Sequence, residues 1–185
     1  MKILIALTYY RPHISGLTIY VERAARALAA RGHEVQILTS QYDRRLPLEE
    51  TRDGVRIRRV PVWFRVSKGV IMPTIGVWAT RLARWADVLW LHLPQFDAAG
   101  IALRGRLFRK PVVLTYHCDV TLPPGLINRL ANTAVHLMDH LAARLADVIV
   151  SYTEDYARHS PYLSRYLHKV RVIPPPVEIL SLIHI

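Results

Sequence analysis

Residues 1–38 read MKILIALTYYRPHISGLTIYVERAARALAARGHEVQIL, and the order of patterns in this stretch decides the fold. Ile3-Leu4-Ile5-Ala6-Leu7 is short, apolar and partly β-branched, as a strand buried on both faces should be. A polar loop, Thr8 to Gly16, follows it. Leu17, Val21, Ala24 and Leu28 then recur at helical spacing, with Glu22 and Arg26 placed to pair at i, i+4 on the opposite face. Gly32 stops the helix, and Val35-Gln36-Ile37-Leu38 reads as a second strand. Strand, loop, helix, strand is one βαβ unit.

The alternation continues outward from that unit. Val55 to Val60 alternates apolar and basic residues, which suits a strand near a sheet edge. Helices are expected over Ile75–Trp85 and Ala98–Phe108, and strands over Val88–Leu93, Pro111–Tyr116, Val148–Val150 and Val170–Ile173. Leu126, Leu130, Ala134, Leu137, Leu141 and Leu145 mark a long amphipathic helix introduced by Pro123-Pro124. This pattern predicts an α/β chain with a doubly wound, mostly parallel, Rossmann-like sheet. Ligands of such sheets bind beyond the carboxyl ends of the strands, so the residues just after strands are the candidates for chemistry. They are Tyr9–Gly16, His92–Gln95, His117–Val120 and Ser151–Asp155.

Composition narrows the classes. With 185 residues, of which 51% are apolar, the chain can bury one substantial core. The formal charge of +11 is uneven: Arg44 to Lys110 holds fourteen basic residues against five acidic ones, a bias that attracts anions. One cysteine excludes an internal disulfide and fits a reducing, cytoplasmic setting. No apolar stretch reaches the roughly 20 residues needed to cross a bilayer, and the opening apolar run is too short for a signal peptide.

In the first candidate loop, Gly16 precedes a helix and lets a backbone N–H approach an anion, unless it only eases the turn. Neither G-x-G-x-x-G nor G-x-x-x-x-G-K-[ST] occurs there, which disfavours a dinucleotide reductase and a P-loop enzyme. In the second, Thr115-Tyr116-His117-Cys118-Asp119, an imidazole and a carboxylate can hydrogen-bond sugar hydroxyls. Extended backbone would put His117 and Asp119 on one face, with Cys118 opposite as a small buried filler; a Cys118–His117 nucleophilic dyad is then geometrically poor. His13, His92 and His117 match no metal-ligand spacing, and no metal is expected.

The order of these segments resembles the start of family 4 glycosyltransferases. The residues that carry the likeness are Met1-Lys2-Ile3-Leu4-Ile5, Pro12-His13-Ile14-Ser15-Gly16-Leu17, Arg31-Gly32-His33-Glu34-Val35, Tyr116-His117-Cys118-Asp119, Asp147 to Ser151 and Val172-Ile173-Pro174. The resemblance implies the N-terminal, acceptor-side domain of a two-domain GT-B architecture. It also implies retaining transfer from a nucleoside-diphosphate sugar with no obligatory metal or other cofactor, and the absence of an Asp-x-Asp motif agrees. It places Ser15 and Gly16 at the donor diphosphate, His117 at the transferred sugar with Asp119 supporting that turn, and Tyr10, Arg11 and His13 beside the acceptor. Two positions depart from the family pattern. Ser15 stands for the first glycine of a pair, and Pro174-Pro175-Pro176 stands for Pro-Asn-Gly.

The resemblance further implies that 1–178 is the N-terminal domain, that a donor domain should follow, and that the fragment alone lacks turnover. Residues 179–185 read as a non-native tail. The segment from Val62 to Trp85 interleaves basic residues with tryptophan, as a membrane interface does. Trp63, Arg65, Lys68, Arg81 and Arg84 are the membrane-facing candidates. The competing reading packs Trp78, Leu82 and Trp85 on the sheet and leaves the arginines solvated. The partners expected are a nucleotide sugar, a glycan or lipid-linked acceptor and the anionic inner face of the cell membrane. Nucleic acid is not expected, for want of a recognised module. The alternative is a non-catalytic, membrane-associated Rossmann-like module that binds a phosphorylated ligand or a partner.

Overall fold

The computed structural model describes residues 1–66, 69–119 and 125–176. Chain order gives β1 (Lys2–Ala6), α1 (Gly16–Ala30), β2 (Glu34–Gln41), β3 (Glu49–Arg52), β4 (Val55–Pro61), β5 (Phe64–Val66) and β6 (Gly69–Ile71). Then come α2 (Ile75–Trp85), β7 (Val88–Leu93), α3 (Ala98–Leu107), β8 (Val112–Tyr116), α4 (Leu126–Leu145), β9 (Val148–Ser151), α5 (Glu154–His159), a 3-10 helix (Leu163–Lys169) and β10 (Val170–Val172). Eight strands form one sheet in the order β10-β9-β8-β7-β1-β2-β4-β3, and β5 and β6 pair separately as a hairpin. Every pairing in the large sheet is parallel except β3 with β4. The chain winds from β1 out to β2 and β4, then returns to β7 on β1's other side. The strand order therefore reverses between β1 and β7, and the cleft beyond their carboxyl ends is where ligands of such folds bind.

The period of two in each strand divides the core. Ile3 and Ile5 of β1 join Val35, Ile37 and Ile57 beneath Val21 and Ala25 of α1. Leu4 and Ala6 point the other way, to a cluster with Leu89, Leu91, Leu93 and Leu114 that α2, α3 and α4 cover. This two-sided burial is why the strands read as nearly continuous apolar runs. Gly105 lets α3 lie close to the sheet, because a Cβ there would stand 2.3 Å from the Val112 side chain.

Several local expectations change. Glu22 receives the Arg11 guanidinium at 2.8 Å, whereas Arg26 faces Asp53 at 3.7 Å. On α4 the small residues Ala142, Ala143 and Ala146 are buried in the core beside Leu145, whereas Leu130 and Leu137 are 66% and 54% exposed. The helix approaches the core through its alanines and Leu145, so only part of its leucine spacing marks the buried face. Trp78 and Trp85 do pack against the core and Leu82 is buried. Pro123, Pro124, Lys68 and residues 179–185 lie outside the described residues.

Candidate functional site

Gly16 and Leu17 open α1 at the carboxyl end of β1, beside the sheet's reversal point. Ser15 is the N-cap, in extended backbone at φ −156°. Its side chain accepts from the Thr18 N–H at 3.2 Å, and Thr18 Oγ1 accepts from the Ser15 N–H at 2.8 Å. This reciprocal capping is what a serine offers where the family pattern has glycine, and it requires no positive φ. Gly16 itself is exposed, and a Cβ placed on it would meet nothing within 4 Å. The helix N-terminus thus presents backbone N–H groups and a partial positive charge to open space.

A cavity of about 400 Å³ lies next to this helix end. Thr8, Tyr9, His13 and Ser15 line one side, Gln95, Phe96 and Asp97 another, with Cys118 and Asp119 at the end of β8 and Asn132 on α4. His13 stacks on Tyr9 with ring centroids 5.1 Å apart. Burial pushes the Asp97 carboxyl up to about 6. Asp139 of α4, 2% exposed, accepts the Gln95 N–H at 3.4 Å and is pushed by burial up to about 7.

His117 and Asp119 separate instead of sharing a face, because the chain leaves extended geometry after Tyr116. Asp119 accepts from the hydroxyls of Tyr116 (3.0 Å), Tyr156 (2.9 Å) and Ser160 (3.0 Å), which ties the turn to α5. The His117 ring goes under α1, edge-on to Tyr20 at 5.2 Å. Its Nε2 pairs with His92 Nδ1 at 2.9 Å, and its Nδ1 pairs with the Tyr152 hydroxyl. Both ring nitrogens are therefore engaged inside the protein. Desolvation lowers the imidazole to about 4, so it is neutral at physiological pH and acts as a hydrogen-bonding group. His92 is fully buried and its pKa is lowered by desolvation and by His117. Cys118 is exposed at the cavity and is not a buried filler.

The remaining candidates scatter. Tyr10 is 4% exposed and sits in the core beneath α1, turned away from the cavity by the gain from burying its ring. Arg11 is held by Glu22, and its carbonyl accepts from the buried Arg59 at 3.0 Å. Of the acceptor-side residues expected, His13 alone lines the cavity. His13 also stands apart from the His92–His117 pair, and among the described residues no three His, Cys, Asp or Glu side chains form a cation site. Trp63 is 73% exposed next to the β5–β6 hairpin, and Arg65 donates to the Tyr42 carbonyl. Arg81 stands 5.6 Å from the Trp78 ring of its own helix, and Arg84 stacks 5.0 Å over Phe108 at the end of α3. Sequence reasoning missed Asp97, Asn132 and Asp139; it placed Gln95 among the post-strand residues without giving it a role.

The family model described as a glycosyl transferase 4-like domain matches residues 15–176. The chain belongs to this family. A D-inositol 3-phosphate glycosyltransferase of Xylanimonas cellulosilytica is 28% identical over 181 residues, covering 89% of this chain and 43% of that protein. An uncharacterized glycosyltransferase of Methanocaldococcus jannaschii is 28% identical over 155 residues, covering 77% of this chain and 37% of that protein. The glycosyl transferase 4-like chain thus spans less than half the length of these curated relatives. Anabaena HepE, solved in complex with UDP and glucose, superposes with a TM-score of 0.64 at 14% identity over 97% of this chain and 46% of that one. Sucrose-phosphate synthase of Thermosynechococcus elongatus does so at 0.61 and 16% over 94% and 47%. These likenesses show the fold, the Rossmann-like α/β sheet of GT-B glycosyltransferases.

Proposed function

We propose that this 4-like domain is the acceptor-side half of a glycosyltransferase that moves a sugar from a nucleoside-diphosphate donor to a glycan, glycolipid or related acceptor with retention. The observation that carries the reading is the open N-terminus of α1 beside the cavity. At Gly16 an added Cβ would meet nothing within 4 Å, so the helix end is open to a diphosphate and favours its charge. The domain supplies alignment of donor and acceptor and stabilisation of leaving-group charge, which need neither a metal nor a second cofactor. A donor domain following residue 178 completes the site in this reading, and the fragment alone does not turn over. His117 fixes the floor beneath α1 as a neutral hydrogen-bonding group, and Asp119 fixes the turn at the cavity.

Peripheral attachment at the inner face of the cell membrane belongs to the same proposal. Trp63 and Phe64 are 73% and 54% exposed near the β5–β6 hairpin, part of which lines the cavity. Among the described residues no helix is long and apolar enough to cross a membrane. A titration of the 15N-labelled chain with UDP and GDP tests the donor site. Shifts confined to Gly16, Leu17 and their neighbours are expected, and they should vanish in Gly16→Val with the fold intact. Shifts spread over the basic segment from Arg44 to Lys110, unaffected by that substitution, would point to non-specific anion binding instead.

A further inference from the structure

A second cavity, of about 520 Å³, lies under α2 and against the edge strands β3 and β4. Strand register assembles its polar wall. Gln36 of β2 pairs with Arg56 of β4, and Arg56 pairs with Thr51 of β3, so the three stand in one row on one face. Arg58 stands in the next row on that face, between Leu38 and Glu49. Leu38 and Val60 belong to the core that α2 covers, which makes this the face turned to α2. The helix contributes Trp78, Arg81 and Trp85. The Arg58 guanidinium lies 3.6 Å over the Trp78 ring and that of Arg81 5.6 Å from the same ring, so two cations crowd one indole. Desolvation and the charge of Arg81 both lower the Arg58 pKa. On this face Glu49 alone answers them, through its pair with Arg58, and among the described residues neither Arg56 nor Arg81 pairs with a carboxylate. Three guanidinium groups against one carboxylate in a concave, partly desolvated space concentrate positive potential there, and an anion offsets it.

We propose that this cavity binds a small, soluble phosphorylated anion, held by Arg56, Arg58 and Arg81 against the indole walls of Trp78 and Trp85. Guanidinium forks match phosphate oxygens two at a time, and the volume suits a phosphorylated metabolite of ring size. The site is separate from the cleft and does not rest on the sugar-transfer reading. Gln36 and Arg56 lie near the amino-terminal ends of β2 and β4, whereas the cleft lies beyond the carboxyl ends of the strands. A soluble ion suits it better than an anionic lipid surface. The Glu49 side chain is 69% exposed at the rim and would repel a continuous negative layer, whereas a single ion seats between the arginines. Trp63 and Phe64, the exposed aromatic residues, follow the far end of β4.

The test is an NMR titration of the 15N-labelled 185-residue chain with inorganic pyrophosphate at constant ionic strength, with phosphatidylglycerol vesicles as a separate probe. Pyrophosphate should shift the indole N–H signals of Trp78 and Trp85 and the amides of Arg56 and Arg58, and leave the Trp90 indole unmoved. Arg56→Gln and Arg81→Gln should each weaken that binding at least about fivefold, whereas Arg44→Gln in the same basic segment should change it less than about twofold. Both arginines are exposed, so these variants keep the fold. Glu49→Gln should tighten binding about two- to fivefold by removing the one carboxylate on this face, a gain that loss of structure cannot imitate. Loss of the Trp78 and Trp85 shifts in Arg81→Gln, with any shift at Gly16 unchanged, supports the site and separates it from the helix end. Equal weakening by Arg44→Gln means attraction to overall charge and overturns the proposal, as does a Glu49→Gln variant that binds no more tightly. Vesicle binding that the two arginine substitutions weaken, with no response to pyrophosphate, overturns it in favour of a lipid surface.

Discussion

Burial favours the neutral forms of Asp139 and His117, and the two respond to pH in opposite senses. The Asp139 carboxyl sits near 7 in the folded state against about 3.9 unfolded, so the folded state binds the proton more tightly. Its stabilising effect is complete below about pH 4 and is lost as pH rises through 7. His117 near 4 against about 6.5 unfolded does the reverse, losing stability as pH falls from about 6.5 to 4. The two oppose each other between about pH 4 and 6.5, and variants reveal the parts. Asp139→Asn should be more stable than the parent at pH 8, by an amount on the order of 1–3 kcal/mol, and urea unfolding should show that advantage disappearing toward pH 4. His117→Ala leaves His92 buried with neither ring nitrogen paired, at a cost of about 1–3 kcal/mol. Its activity must therefore be compared per folded molecule.

Those residues also show where sequence reading stops at this scale. The dyad period of β7 places Trp90 and His92 opposite Leu89, Leu91 and Leu93, and α1 indeed covers them. What spacing could not give is the turn after Tyr116, where the loss of extended geometry sends Asp119 to Tyr156 and Ser160. Nor could it show that Tyr10 and Arg11, adjacent to His13 in the chain, face a core and an ion pair. Asn132 and Asp139 sit in a helix whose leucines drew attention to the other side.

At the scale of elements, apolar patterning was sufficient wherever a strand was buried on both faces. Val88–Leu93 and Ile75–Trp85 appear with the boundaries that the pattern predicts. It failed for β3, whose Glu49-Glu50-Thr51-Arg52 carries no alternation and is held by charge pairing. Glu49 pairs with Arg58 and Glu50 with Arg59 across the edge. Arg59 is 2% exposed and also donates to the carbonyls of Pro47 and Arg11, each at 3.0 Å, which links β3, β4 and the loop leading to His13. Glu50→Ala should cost more than an exposed pair would, on the order of 1–3 kcal/mol, because it leaves a buried guanidinium uncompensated. Gly105→Ala should also destabilise, by about 1–3 kcal/mol, by pushing α3 off Val112, and a thermal melt of each variant checks both.

Over the whole molecule, winding in both directions from β1 creates one cleft, and the helix end, the cavity and the Asp119 turn all open into it. The positive charge lies mostly elsewhere, from Arg44 to Lys110, along β3, β4, the β5–β6 hairpin, α2 and the end of α3. That separation leaves the basic surface to attract anions away from the cavity. If Trp63 and Phe64 dock on anionic lipid, Trp63→Ala with Phe64→Ala should reduce co-sedimentation with phosphatidylglycerol vesicles severalfold without changing the melting temperature.

The central claim is sugar transfer, and turnover by the full-length product of the gene tests it most directly. That product is incubated with a panel of nucleoside-diphosphate sugars and a neutral polyol acceptor, with the anomeric configuration of the glycoside read by NMR. The account predicts that one donor is consumed, that the glycoside keeps the donor's configuration, and that Gly16→Val lowers the rate by at least about tenfold. A folded product that consumes no donor, or one whose Gly16→Val variant works as well as the parent, contradicts it.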